Sequence, residues 1–193
     1  MAITAAYGFK PVQLLGGLPF SGGTIREFAV TPAAATNPMG NGDLVNITAG
    51  VATTIAAAPA AGTLSANTPV GVCVGVRFVD PVLKQSQHAN FLPANSVGYT
   101  SIFALVVDGP DVLYQIRYNG VLTSANIGNN TSVTFVAAST TNGAAQSYAS
   151  GAALTATLPF RIIDVIGGDG VNYTDIIVRY NWQTQAYAFP TGQ

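Results

Sequence analysis

Charge is what this chain has least of: seven Lys and Arg and eight Asp and Glu among 193 residues, 8% in all. Ordinary soluble domains carry roughly 25%, and a surface that keeps neighbours apart is about 25 to 35% charged. Interface cores are depleted in the same way, because a desolvated ion must find a partner or lose its hydration. Much of this surface is therefore expected to face protein, as in a permanent subunit of an assembly. The competing expectation is a secreted β-protein with a neutral surface of Thr, Asn, Ser and Gln.

Other absences narrow the function. The basic residues Lys10, Arg26, Arg77, Lys84, Arg117, Arg161 and Arg179 are scattered singly and the net charge is −1. Phosphate contacts need several cations on one face, so nucleic acid is not expected as a partner. Cys73 is the sole cysteine, which excludes an internal disulfide and a thiolate-rich metal cage. Apolar runs are short and broken by Gly, Pro, Thr or Asn, so no membrane helix of about 20 residues is expected. Met1-Ala2-Ile3-Thr4 begins no legible signal peptide, and the expectation is a chain made in a cell's cytoplasm and released, if at all, by lysis. Glycosylation-type triplets at Asn46, Asn129, Asn130 and Asn172 are then chance matches.

What the chain does have is alternation of period two, with almost no helical periodicity, which reads as an all-β protein. Val70, Val72, Val74 and Val76 fall on one face of a strand, with Gly71, Cys73, Gly75 and Arg77 on the other. Val112–Tyr118 alternates and then meets Asn119-Gly120, a strong type I′ hairpin signal. With Ser101–Val107 just upstream, these are expected to be neighbouring antiparallel strands. Further strands are expected at 25–30, 44–48, 51–55, 132–137, 154–158, 160–166 and 176–182, and loops at 31–41, 56–62 and 140–151. Such spacing suits antiparallel β-sandwich or β-barrel lobes. The expected division is an extended N-terminal arm over 1–23, a first lobe over 24–86, a connection over 87–100, a second lobe over 101–186 and a tail over 187–193.

The arm combines backbone breakers with large apolar groups. It cannot bury Phe9, Leu14, Leu15 and Phe20 alone, so it lies along its own body or along a neighbour. With Tyr7 these residues are the candidate interface anchors, since large apolar groups supply most interface energy.

Enzymatic chemistry has little material. One His and one Cys leave a metal site dependent on eight dispersed acids. Gly167-Gly168-Asp169-Gly170 with Asp175 is expected to be a turn rather than a calcium site. Asp108 and Asp111 around Gly109-Pro110 are expected to bond local amides. His88 with Ser86, Cys73 and Asp80 lacks any nucleophile motif, and Cys73 among valines reads as an inert core thiol. No catalytic residue, metal or other cofactor is expected.

The string Tyr7-Gly8-Phe9-Lys10-Pro11-Val12, the Gly-Gly-x-Pro-Phe-x-Gly run from Gly16 to Gly22, Asn41–Val45, Val106–Ile116 and Asp175–Gln183 together resemble a family of virion structural proteins of tailed bacteriophages. Its members look like capsid cement or head-decoration proteins, and the likeness spans most of the chain. The resemblance implies attachment to the outer surface of a shell of major capsid protein, reinforcing joints between capsomers, with no catalytic residues to carry over. Closed symmetric homo-oligomers are the usual case, so dimer and trimer both stand open. The alternative function is a β-sandwich adhesin or carbohydrate-binding virion protein using Tyr148, Asn172, Tyr173 and Trp182, although Trp182 falls in an alternating strand and suits a core.

Overall fold

The computed structural model describes residues 5–32, 38–55, 68–166, 168–181 and 184–188. The alternating segments pair into strands β1 (Lys10–Leu14), β2 (Ile25–Ala29), β3 (Met39–Gly40), β4 (Leu44–Thr48), β5 (Val51–Thr54) and β6 (Gly71–Val79). They continue with β7 (Ser86–Ala89), β8 (Phe91–Leu92), β9 (Thr100–Val107), β10 (Val112–Arg117) and β11 (Val121–Leu122). The rest are β12 (Asn130–Thr134), β13 (Tyr148–Ala153), β14 (Phe160–Val165), β15 (Val171–Asn172) and β16 (Asp175–Tyr180).

Two six-stranded antiparallel sheets result. One runs β1-β10-β16-β14-β12-β13; the other runs β2-β9-β6-β4-β5, with β7 paired to the far half of β6. The protein is all-β, its sheets packed as a sandwich. The second sheet curls until β2 approaches β5, but no sheet closes into a barrel among the described residues. Two short pairs, β3–β8 and β11–β15, lie outside the two sheets.

Two cores follow from this layering. Between the sheets lie Phe9, Tyr114, Ile116, Phe160, Ile162 and Val178, with Leu44, Val72 and Val107 of the second sheet packed against them. The other face of the second sheet buries Val45, Cys73, Val76, Phe78, Ala104 and Val106, with Met39 and Leu92 of the β3–β8 pair in the same cluster. Each fully buried aliphatic or aromatic side chain stabilises the fold by roughly 1.5–3 kcal/mol relative to exposure.

Strand β6 therefore has two buried faces, and its valines do not share one. Cys73 pairs with Val106 and Gly75 with Leu105, leaving Val74 as the extra residue of a β-bulge. The bulge reverses the phase: Val72 and Val74 point to the inter-sheet core, whereas Val76 joins Cys73 on the other side.

Several expectations give way to tertiary pairing. Asn119-Gly120 does not turn the chain back. The Tyr118 N–H donates to Thr174 O at 2.8 Å and the Tyr173 N–H to Gly120 O at 3.0 Å, so the chain runs on from β10 into β11 alongside β15–β16. Gly120 has φ of +143°, but Asn119 is not left-handed, as a type I′ turn would require. Strands β9 and β10 are not paired neighbours either: residues 108–111 carry the chain from one sheet to the other. Segment 154–158 forms turns, while β13 occupies part of the expected loop 140–151. Its small residues suit an edge strand, where Thr134 and Ser150 bring their hydroxyls within 3.1 Å across the pair.

The sheets also cut across the expected lobes. Strand β9 sits between β2 and β6 in the second sheet, and the segment expected to connect the lobes contributes most of β7 and all of β8. The expected strand position of Trp182, the 56–62 loop and the first four residues of the arm lie outside the described residues.

Candidate functional site

The arm is extended, and it lies along its own body. Strand β1 pairs antiparallel with β10, with Leu14 opposite Val112. Ahead of it, Tyr7-Gly8-Phe9 forms a strap across the β3–β4 corner, where the Phe9 N–H donates to Gly42 O at 2.9 Å. Gly8, at φ +72°, allows that crossing: a Cβ there would sit 2.6 Å from Gly42 O and 2.5 Å from Ala145 Cβ.

This placement divides the five anchor candidates. Phe9 is 1% exposed and packs its ring on Phe160, centroids 4.9 Å apart, and edge-on to Tyr114 at 6.1 Å. It is a core residue and cannot also reach a partner. Leu14 and Phe20 are half-buried against the same core. Tyr7 is half-buried, and burial followed by the neighbouring Asp175 carboxylate pushes its phenol well above the ordinary range.

Leu15 alone of the five is open, at 51% exposure, and Leu18, which sequence reasoning passed over, is 66% exposed. Both lie on a turn whose backbone is fixed. The Leu14 N–H donates to Leu18 O at 2.7 Å, Gly17 N–H to Leu14 O at 3.0 Å and Leu15 N–H to Asp111 O at 2.7 Å. The available signal for Leu18 was its place between Gly17 and Pro19, two turn residues that leave a large apolar side chain little to pack on.

The same end of the molecule gathers further exposed apolar groups around loop 108–111. Ile25 begins β2 opposite Val107, and Tyr187 donates its hydroxyl to Asp108 Oδ2 at 3.0 Å. Asp108 does not bond its local amides as expected from its turn. Its carboxylate is buried, pairs with Arg26 Nε at 2.9 Å and thereby ties β2 and the 186–188 turn to the loop. Gln185 completes the hub, donating from Nε2 to Val70 O at 2.8 Å and Asp108 O at 2.6 Å.

The residues of the imagined catalytic and calcium sites are dispersed. Cys73 is wholly buried, and its thiol is pushed up to about 12 by burial. His88 lies exposed on β7 in register with Arg77, whose guanidinium is engaged by Glu27 at 2.7 Å. Asp80 accepts from the Val82 and Leu83 amides at 2.7 and 2.8 Å. Asp169 caps Ser124, accepting from its N–H at 2.6 Å and its hydroxyl at 2.8 Å, while Asp175 accepts from Gln115 Nε2 at 2.9 Å.

Two cavities open beside the strap. One, of about 480 Å³, lies between Tyr7, Gln115, Asp175 and the 142–144 loop. The other, of about 410 Å³, is lined by Tyr148, Tyr173 and Arg117, whose guanidinium lies 4.5 Å from the centre of the Tyr173 ring. Tyr148 and Tyr173, named for the adhesin alternative, thus share one cavity; Asn172 lies on the β11–β15 pair. No family model, curated protein or solved structure matches this chain.

Proposed function

We propose that this chain is a non-enzymatic virion structural protein of a tailed bacteriophage, a cement protein that binds the outer surface of a shell of major capsid protein and stabilises the head. The observation that carries the reading is a charge-poor chain presenting Leu15 and Leu18 on a hydrogen-bonded turn, with Ile25 and Tyr187 also exposed around the adjoining loop. A preorganised apolar turn binds without the ordering cost of a loose arm, and exposed apolar groups gathered at one end mark an interaction surface. The sequence resemblance points the same way. Tyr7 and Phe9 act in this reading by holding the strap, not by touching the shell.

Contact area of this kind contributes about 25 cal/mol per Å² before association costs and is insensitive to ionic strength. The test first reads the neighbouring genes for a major capsid protein and then uses shells assembled from it. Subunits retained per shell are counted after washing in about 1 M salt, where the Debye length falls to about 3 Å, and separately in mild denaturant. Retention in salt with loss in denaturant supports apolar docking. Failure to bind the shells at all, or release by salt alone, overturns it. Sedimentation of the free protein distinguishes dimer from trimer.

A further inference from the structure

The 480 Å³ cavity falls within the range of ligand sites, about 300–1,000 Å³, and its lining is unusual for so apolar a chain. Asn41, Asn90, Asn142 and Gln115 all border it, and a primary amide offers both an acceptor oxygen and two N–H donors. Two of these amides are oriented by other bonds. Asn142 Oδ1 accepts from the Ala144 N–H at 3.1 Å, which turns its NH₂ group free to donate. Gln115 gives Nε2–H to Asp175 Oδ2, which leaves its carbonyl oxygen as an acceptor.

Tyr7 lies against the same pair. Its hydroxyl is buried yet closes no hydrogen bond of good geometry, and its ring, with Phe9 and Ala144, gives the cavity an apolar surface between the amides. The 142–144 loop packs closely on the body: Gly143 lies so near the Phe91 ring that a Cβ would sit 1.9 Å from it.

Charge decides the ligand class. Among the described lining residues Lys10 is the one cation and Asp175 the one anion. A phosphate group would call for clustered cations, and a hard metal ion for six to eight oxygens. A peptide strand would need a free strand edge along the cavity, whereas β10 and β16 each have a hydrogen-bonded neighbour on both sides and the edge strand β1 reaches the lining only at Lys10. Vicinal hydroxyls, each donor and acceptor at once, match amides and a carboxylate set beside an aromatic ring. We infer that this cavity is a binding site for a neutral saccharide, a mono- or disaccharide unit held by Gln115, Asn142, Asn90 and Asp175 beside the Tyr7 ring.

The experiment titrates isotope-labelled full-length protein with maltose, cellobiose, lactose and chitobiose in the millimolar range while following backbone and side-chain amide resonances. Saturable shifts centred on Gln115, Asn142 and Asn90 are expected for at least one of them. Asn90→Ala and Asn142→Ala, both at exposed positions, should keep the native spectrum and weaken that binding by about tenfold each, the equivalent of one well-made hydrogen bond. Absence of saturable shifts with all four sugars overturns the inference. So does a stronger response of these resonances to inorganic phosphate, calcium or an unstructured peptide, or binding that survives both substitutions unchanged.

Discussion

Phe9 lies 4.9 Å from Phe160, ring centre to ring centre, at an interplanar angle of 36°, and this contact pins the N-terminal strap to the core between the sheets. The arm is therefore part of the fold. Phe9→Ala should lower stability by about 3–5 kcal/mol, the usual result of emptying an aromatic site in a packed core. Removing residues 1–23 should remove the native cooperative transition as well, because β1 and its pairing with β10 go with it. Calorimetric melts of both variants check this; a truncated chain that melts like the parent contradicts the placement of Phe9.

Leu15 and Leu18 stand in contrast, since nothing in the fold depends on their side chains. The double substitution Leu15→Asp and Leu18→Asp should change stability within about 0.5 kcal/mol, as exposed positions do, and abolish retention on capsid shells. The pair of measurements is a thermal melt and a shell-binding count. Lost binding in a protein that also unfolds would not separate docking from folding, so Leu15→Gln with Leu18→Gln serves as the milder companion.

Cys73 should react slowly with a thiol reagent in the native state and fast in denaturant. Its side chain is fully covered and its pKa is pushed up to about 12 by burial, so thiolate and access are both missing. The time course of labelling, native against denatured, is the check. Rapid native labelling would show that the β6 face carrying it opens.

Asp43 makes stability depend on pH in the unusual direction. It is buried, its Oδ2 accepts from the Gly40 N–H at 2.8 Å, and burial pushes its carboxyl up to about 6. A folded-state pKa above the unfolded value means that the native state binds the proton more tightly. Stability should therefore rise as pH falls from about 7 towards 4, by about 2–3 kcal/mol from this group. Asp43→Asn should remove that slope. Denaturant midpoints of the two proteins at pH 7 and pH 5 decide it, and parallel pH profiles would contradict the assignment.

Gly120→Val should destabilise the protein, for a reason other than a hairpin. The residue has φ of +143°, and a Cβ there would lie 3.0 Å from Tyr118 Cε1. A β-branched side chain is strained in that backbone and crowds the ring. An unchanged melting temperature would show that the passage from β10 to β11 relaxes freely.

Strands with one dominant pattern were legible in advance. Leu44–Thr48, Val51–Thr54 and Val112–Arg117 carry enough alternating or apolar residues to declare a strand whatever they pair with. Ser86–Ala89 was not legible, since an exposed edge strand of Ser, Gln, His and Ala gains its order from bonds to β6 rather than from its own side chains. For the candidate interaction surface, Leu15 could be named from the sequence. Phe9 and Leu15 look equivalent in a list of residues, however, and only the strap's crossing at Gly42 sends one inward and leaves the other out.

Composition and period two, which depend on local side-chain chemistry alone, determined an all-β chain with a charge-poor surface and a buried thiol. The tertiary structure decided which strands are neighbours, where the β6 bulge reverses the faces, that Asn119-Gly120 continues rather than turns, and which amides meet around the cavity beside Tyr7. Those outcomes rest on hydrogen bonds and packing between residues far apart in the chain. A strand records in its sequence that it has a face to bury, but not the partner that will cover it.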